Sequence, residues 1–195
     1  MARFCEDGSA YIAALLKRGF REIGSGAYST VLAKPGSDRV VKVLRRDLDA
    51  WGEYVHWATT AGFAGSFAPK VYSFKLYSGF YVAIMERLGR CIDCHADEGI
   101  KTLFNLGSRY PWDVDQSKEA KSLNPQFHHF MIEFRKRFEG YNLDLHGGNW
   151  MTTENNSGDT RLVLVDPIAS QANSTTPIRW RVKTPDYRQF TLPGI

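Results

Sequence analysis

The chain has 195 residues and a mass of 22.1 kDa, with 43% hydrophobic and 24% charged residues. That is the composition of a globular protein with one core or two small lobes, and it excludes a disordered, collagen-like or coiled-coil chain. With 25 Lys and Arg against 21 Asp and Glu, the net charge of +4 allows an anionic ligand, but no dense basic stripe points to direct nucleic-acid binding. No apolar run approaches the ~18 residues of a membrane helix; the best, Tyr81 to Met85, stops at Glu86-Arg87. Acids at Glu6 and Asp7 stand where a signal peptide would begin its apolar stretch, so the expected location is cytoplasmic, with no membrane partner.

Ser9 to Lys17 places Tyr11, Ile12, Leu15 and Leu16 on one face, which predicts a short amphipathic helix ended by Gly19. The period then changes to two. Phe20–Ile23, Thr30–Ala33 and Val40–Leu44 read as three strands, joined by Gly24-Ser25-Gly26 and by Pro35-Gly36-Ser37-Asp38. A helix follows from about Leu48 to Ala61, with Trp51, Tyr54, Val55 and Ala58 on its apolar face. Val71–Leu76 and Phe80–Met85 read as a hairpin turning at Ser78-Gly79.

The pattern is weaker from Arg90 to Leu123, with a helix expected near Ile100–Leu106. Asn124-Pro125 reads as an N-cap with proline in the first turn, opening a helix to Glu139 with a stripe of Phe127, Phe130, Met131, Phe134 and Phe138. Such a stripe is core. Arg135-Lys136-Arg137 at its end opposes the helix dipole. A loop over Gly140–Asn149 leads to two short strands, Trp150–Thr153 and Leu162–Val165, separated by Asn155-Asn156-Ser157-Gly158. The order predicts an α+β protein with a mainly antiparallel first lobe and a mainly helical second.

Three cysteines are too few for a disulfide framework. Cys91-Ile92-Asp93-Cys94-His95 matches the spacing for covalent haem attachment, but that chemistry needs export, and zinc would need a further ligand. These residues are therefore expected to be ordinary loop residues.

Three features carry chemistry. The turn Gly24-Ser25-Gly26-Ala27-Tyr28-Ser29-Thr30-Val31 has glycines that let a backbone approach phosphate oxygens, although a plain hairpin also explains it. Lys42 lies mid-strand. Either it is buried and meets an anion, or it faces outward on a half-exposed strand whose Val41 and Val43 face the other way. The strongest signal is Asp144-Leu145-His146-Gly147-Gly148-Asn149, followed by the apolar strand Leu162–Val165 ending in Asp166-Pro167. A base, a neutral oxygen ligand and an anionic oxygen ligand are what Mg-assisted phosphoryl transfer requires.

In this order, the glycine turn, the valine-flanked lysine, D-x-x-x-x-N and the strand ending in Asp resemble the protein-kinase-like superfamily. His146, two residues after Asp144, is similar to aminoglycoside phosphotransferases. Gly-Ala-Tyr-Ser, Arg39–Val43, Phe138-Glu139-Gly140, Asp144–Asn149 and Asp166-Pro167 together resemble the early serine/threonine protein kinases of T7-type bacteriophages, over about residues 18 to 170. The resemblance implies a compact bilobal kinase-like domain over 1–195, with residues 1–88 as the N-lobe and 89–195 as a truncated C-lobe. It implies ATP and Mg²⁺ as cofactors and serine or threonine of host proteins as substrate. Gly24, Ser25, Gly26 and Val31 would cover the nucleotide, with Glu86, in the hinge segment Met85–Leu88, and His146 also binding the cofactor. Lys42 would bind the α/β-phosphates, paired with Glu53. Asp144 would accept or orient the substrate hydroxyl proton. Asn149 and Asp166 would hold Mg²⁺.

There are departures. Ser29 replaces the third glycine, Asn142 and Leu143 stand where His and Arg usually precede the catalytic Asp, and Asp166-Pro167-Ile168 replaces DFG. No A-P-E motif follows, so no usual activation segment or helical substrate lobe is expected. Three alternatives therefore stand beside an active protein kinase: a pseudokinase that binds and blocks a host protein, a small-molecule kinase, and a purely structural domain.

Overall fold

The computed structural model describes residues 8–26, 28–45, 50–77, 79–90, 98–108, 113–154 and 160–171. Cys91, Cys94 and His95 lie outside them, as do Ala27 of the glycine turn and the turn at 155–158. The architecture is α+β and divides into two units. One holds the described residues of Met1–Asp49 with Val71–Arg87; the other holds Ala50–Lys70 and Leu88–Ala172.

The first unit is a helix on a sheet. Helix α1 (Ser9–Lys17) is followed by β1 (Arg21–Ser25), β2 (Ser29–Ala33), β3 (Arg39–Arg45), β4 (Val71–Leu76) and β5 (Phe80–Glu86). The strands form one antiparallel sheet in the order β1-β2-β3-β5-β4. Period-two alternation puts Val41 and Val43 on one face, where they pack with Leu15, Phe20, Leu32, Phe80 and Val82, while Tyr11 and Ile12 of α1 pack against that cluster. Leu16, expected on the same helix face, is exposed instead. The turn into β3 has Pro35 pre-set and Gly36 at φ 75°, closed by the Ser37 N–H donating to the Lys34 carbonyl at 3.2 Å. Positive φ at that position is why glycine is needed there.

The second unit is built on aromatic rings. Helix α2 (Trp51–Thr60) packs on α5 (Pro125–Arg137): the Tyr54 ring meets Phe134 edge-on at 5.9 Å, and Trp57 meets Phe130, Phe134 and Phe138. Phe127, Phe130, Phe134 and Phe138 are fully buried. Asn124 caps α5 as expected, its side chain accepting the Phe127 N–H at 2.9 Å. The loop after α2 joins the same core, because the Phe67 carbonyl accepts the Leu164 N–H and the Ser66 carbonyl accepts from Arg161. These contacts put residues 50–70 in the second unit, although the sequence reading gave them to the first lobe. The second unit also holds β6 (Gly89–Arg90), α3 (Glu98–Gly107) and α4 (Val114–Leu123).

The hairpin of β8 (Trp150–Glu154) and β9 (Thr160–Leu164) takes β6 as a third strand. What reads as a loop from Gly140 contains a strand, β7 (Tyr141–Leu143), paired antiparallel with β10 (Ile168–Gln171). Neither short strand has enough alternation to be seen in sequence. Helix α4 was also missed. It is almost wholly polar, with Ala120 its buried residue, but it carries a capping box between Asp113 and Gln116.

Gly107 closes α3 against Trp150. A Cβ there would stand 2.5 Å from Cζ2 and 2.8 Å from Cη2 of Trp150, and 3.1 Å from Cζ of Phe127. Gly107→Ala should therefore destabilise the protein by about 1–3 kcal/mol, lowering the melting temperature by roughly 2–4 °C per kcal/mol. Gly24→Ala, whose Cβ meets nothing, should leave it unchanged. Equal melting temperatures for the two variants would refute this packing account.

Candidate active site

In the first unit, one cross-strand row reads Gly24, Val31, Lys42, Ala83 and Phe74 from β1 to β4. Residues directly opposite share a sheet face, so three predicted ligand residues stand side by side. Lys42 is on the face away from the valine cluster, as its parity requires, yet it is only 6% exposed. The outward, half-exposed lysine is thus overturned, because Val40, Leu44, Ala83 and Met85 on its own face are buried with it. A lysine is almost never buried without an anionic or polar partner.

The glycine turn is closed by the Gly26 N–H donating to the Ser29 carbonyl at 2.9 Å. A Cβ on Gly24 would meet nothing within 4 Å, and on Gly26 only Ser29 Oγ at 4.0 Å. Neither glycine is required by the protein's own packing, and both leave open space over the hairpin. Ser25 is exposed beside them. Glu86 ends β5 opposite Arg39, on the sheet face away from Lys42. Its backbone, not its carboxylate, is therefore the part that could serve a ligand on the Lys42 face. The segment is tied down by the Arg87 N–H donating to the Asp38 carbonyl at 2.8 Å.

In the second unit, the loop from Asp144 to Asn149 is tied at both ends to the exit of β9. The Asp144 N–H donates to the Pro167 carbonyl at 2.7 Å, and the Val165 N–H donates to the Asn149 carbonyl at 2.8 Å. Asp144, Asn149 and Asp166 are thereby brought to one edge. Within the loop, Asn149 Nδ2 donates to the Asp144 carbonyl at 2.8 Å, leaving Oδ1 as the amide's donor atom for a cation. A 3₁₀ turn, Gly147–Asn149, is closed by the Asn149 N–H to the His146 carbonyl at 3.0 Å. Leu145 is buried beneath, and its carbonyl accepts from Trp150 Nε1 at 3.2 Å. His146 Nε2 lies 3.3 Å from Asp144 Oδ1, and its Nδ1 accepts the Gly148 N–H at 2.9 Å.

Helix α2 supports the same edge. Trp51 Nε1 donates to the Val165 carbonyl at 2.8 Å and the Tyr54 hydroxyl to the Leu164 carbonyl at 2.7 Å. Burial, and secondly the nearby Asp166 charge, push the Tyr54 hydroxyl pKa well above its ordinary value. Sequence reading found Trp51 and Tyr54 as apolar residues only. Their polar tips were the overlooked signal, since buried Trp and Tyr usually need a hydrogen-bond partner. Glu53, expected beside Lys42, has both carboxylate oxygens engaged within its own unit, by Arg137 and by the Tyr141 hydroxyl at 2.9 Å.

The donor chemistry fits the groups the sequence implied. Asn149 and Asp166 offer an amide and a carboxylate oxygen, and Mg²⁺ is commonly held by one or two carboxylates completed by water and substrate phosphates. Among the described residues, no cluster of three or more His, Cys, Asp or Glu forms an all-protein metal cage.

No family model matches the sequence, and no curated protein matches it. Among solved structures, the chain is similar to Rad53 1-466 in complex with AMP-PNP, at 16% identity and a TM-score of 0.42, over 77% of this chain and 38% of that one. It is also similar to the Cydia pomonella granulovirus kinase PK-1, at 14% identity and a TM-score of 0.40, over 81% of this chain and 57% of that one. The chain thus spans less than two thirds of either structure's length.

Tyr54 provides a test of the α2 support. Tyr54→Phe leaves the Leu164 carbonyl without its partner and should cost about 1–3 kcal/mol. Because the folded pKa is raised, the stability from neutral Tyr54 is complete below pH ~10 and is lost as the pH rises toward the folded value. Urea midpoints between about pH 9 and 11 should therefore fall more steeply for the parent than for Tyr54→Phe; parallel curves would refute the assignment.

Proposed function

We propose that the protein is an ATP- and Mg²⁺-dependent kinase that transfers the γ-phosphoryl group to serine or threonine of host proteins, in the manner of the phage-type protein kinases its motifs resemble. The observation that carries this reading is the double backbone tie between the Asp144–Asn149 loop and the Val165–Pro167 exit. It presents a base, an amide oxygen and a second carboxylate at one edge, the donor set of metal-assisted phosphoryl transfer.

The roles follow from residue chemistry. The open space over the hairpin at Gly24, Ser25 and Gly26 lets phosphate oxygens approach the backbone closely, and Val31 offers an apolar surface to the adenine base. Lys42 supplies a compact positive charge for the α/β-phosphates. Asn149 Oδ1 and Asp166 hold Mg²⁺, which when bound neutralises phosphate charge. Asp144 accepts the hydroxyl proton of the acceptor or orients that hydroxyl.

Mg-ATP at ~100 times its dissociation constant should stabilise the protein by about 2.7 kcal/mol, a rise of roughly 5–10 °C in melting temperature. Asp166→Asn should remove most of that rise. Asp144→Asn should keep it while phosphate transfer, measured with labelled ATP, falls by about 10²–10⁴. Lys42→Ala should lose both binding and rate. No shift at millimolar Mg-ATP would sink the kinase reading, and a shift without transfer to any protein would favour a pseudokinase. Loss of nucleotide binding in Asp144→Asn, with binding kept in Lys42→Ala, would show the roles to be wrongly assigned.

A further inference from the structure

We propose that His146 is a positioning residue: a neutral imidazole with its proton on Nε2, whose N–H holds the Asp144 carboxylate in its working orientation. The proposal rests on the phosphotransfer reading of Asp144.

The hydrogen bonds determine the tautomer. Nδ1 accepts the Gly148 N–H at 2.9 Å. A backbone N–H can only donate, so Nδ1 presents its lone pair, and a neutral imidazole then carries its proton on Nε2. That nitrogen is 3.3 Å from Asp144 Oδ1. The contact is a close approach that falls short of an aligned hydrogen bond, and catalytic hydrogen bonds are often long or poorly aligned before substrate closes the site.

Gly148 makes the seat for the ring. A Cβ on it would stand 2.8 Å from His146 Cε1 and 3.1 Å from Nδ1, so any side chain there displaces the imidazole. Asp144 supplies the need. Its N–H is tied to Pro167 and its carbonyl to Asn149, so the backbone is placed while the side-chain torsions are not. The Nε2–H contact restricts that remaining freedom. The imidazole is 64% exposed and the carboxylate 37%, and a pair so exposed contributes little to stability. Its consequence therefore lies in orientation. With both ring nitrogens engaged inside the loop, His146 acts through Asp144 and not as a ligand for the nucleotide.

Asparagine and glutamine separate the two ring nitrogens. An Asn side chain can keep an acceptor near the Nδ1 position but has no donor at the Nε2 position, whereas Gln carries its amide N–H₂ to the latter. In Mg-ATP turnover, His146→Asn should lower kcat by about 10–100-fold, the loss typical when a partner that orients a working ligand is removed. KM for Mg-ATP and the Mg-ATP thermal shift should be unchanged. His146→Gln should recover most of kcat. Gly148→Ala should resemble His146→Asn while keeping the parent's melting temperature. Nitrogen-15 NMR of histidine-labelled parent should report the Nε2–H tautomer at His146.

Parental kcat in His146→Asn, a raised KM with unchanged kcat, or an Nδ1–H tautomer would each overturn the proposal. A parent that neither turns over ATP nor is stabilised by Mg-ATP would sink the phosphotransfer reading instead. The NMR tautomer would then decide the placement of the His146 proton by itself.

Discussion

Two backbone hydrogen bonds, Asp144 N–H to the Pro167 carbonyl and Val165 N–H to the Asn149 carbonyl, set the geometry of the candidate site in the second unit. Apart from Leu145, which is buried beneath it, the loop is made of small and polar residues with little core of its own to place them. Here the residues that bear the first carboxylate and the amide are themselves the attachment points, so their Cα positions are set by the strand that delivers the second carboxylate. Precision at the candidate site thus comes from main-chain geometry, which side-chain replacement leaves intact. Pairing of β7 with β10 extends the tie on one side, and the β8–β9 hairpin extends it on the other.

The first unit solves a different problem. Lys42 must be held in an apolar sheet without breaking it. Strand parity does this: the valines on either side of Lys42 bury themselves against α1, and the lysine shares its row with the small or medium residues Gly24, Val31 and Ala83. Burial of an ammonium is costly unless an anion or hydrogen bonds compensate. A position built to accept that cost is a poor one for a merely solubilising lysine.

Much of this was legible in the sequence because it rests on periodicity. Five strands of the first unit, α1, α2, α5 and the β8–β9 hairpin have enough apolar residues at period two or 3.6 to be placed within a few residues. The candidate site residues could be singled out because each sits at an element's end or middle in a distinctive order. What escaped was whatever depends on partners distant in sequence. Strands β6, β7 and β10 have two to four residues and exist only through pairing. Trp51 and Tyr54 read as grease, and their donors to residues 164 and 165 could not be guessed. The allegiance of α2 to the second unit likewise depends on ring packing with α5. A helix's apolar face is visible in sequence, but not what it faces.

That allegiance bears on Glu53. The helix carrying it is held by two hydrogen bonds from buried or partly buried aromatic side chains and by rings packed on Phe130, Phe134 and Phe138. Each unsatisfied buried partner costs about 1–3 kcal/mol, and each close aromatic pair adds about 0.5–1.5 kcal/mol beyond its area. Its carboxylate is held less firmly. The Arg137 guanidinium is 45% exposed, so that ion pair is screened by water, and such pairs contribute at most about 1 kcal/mol. The Tyr141 hydroxyl adds one charge-assisted hydrogen bond, about 1.5–3 kcal/mol. A change of partner by Glu53 is therefore cheaper as a rotation of its side chain than as a movement of α2. The aromatic interface commits α2 to one position, and any adjustment of Glu53 is left to its own torsions.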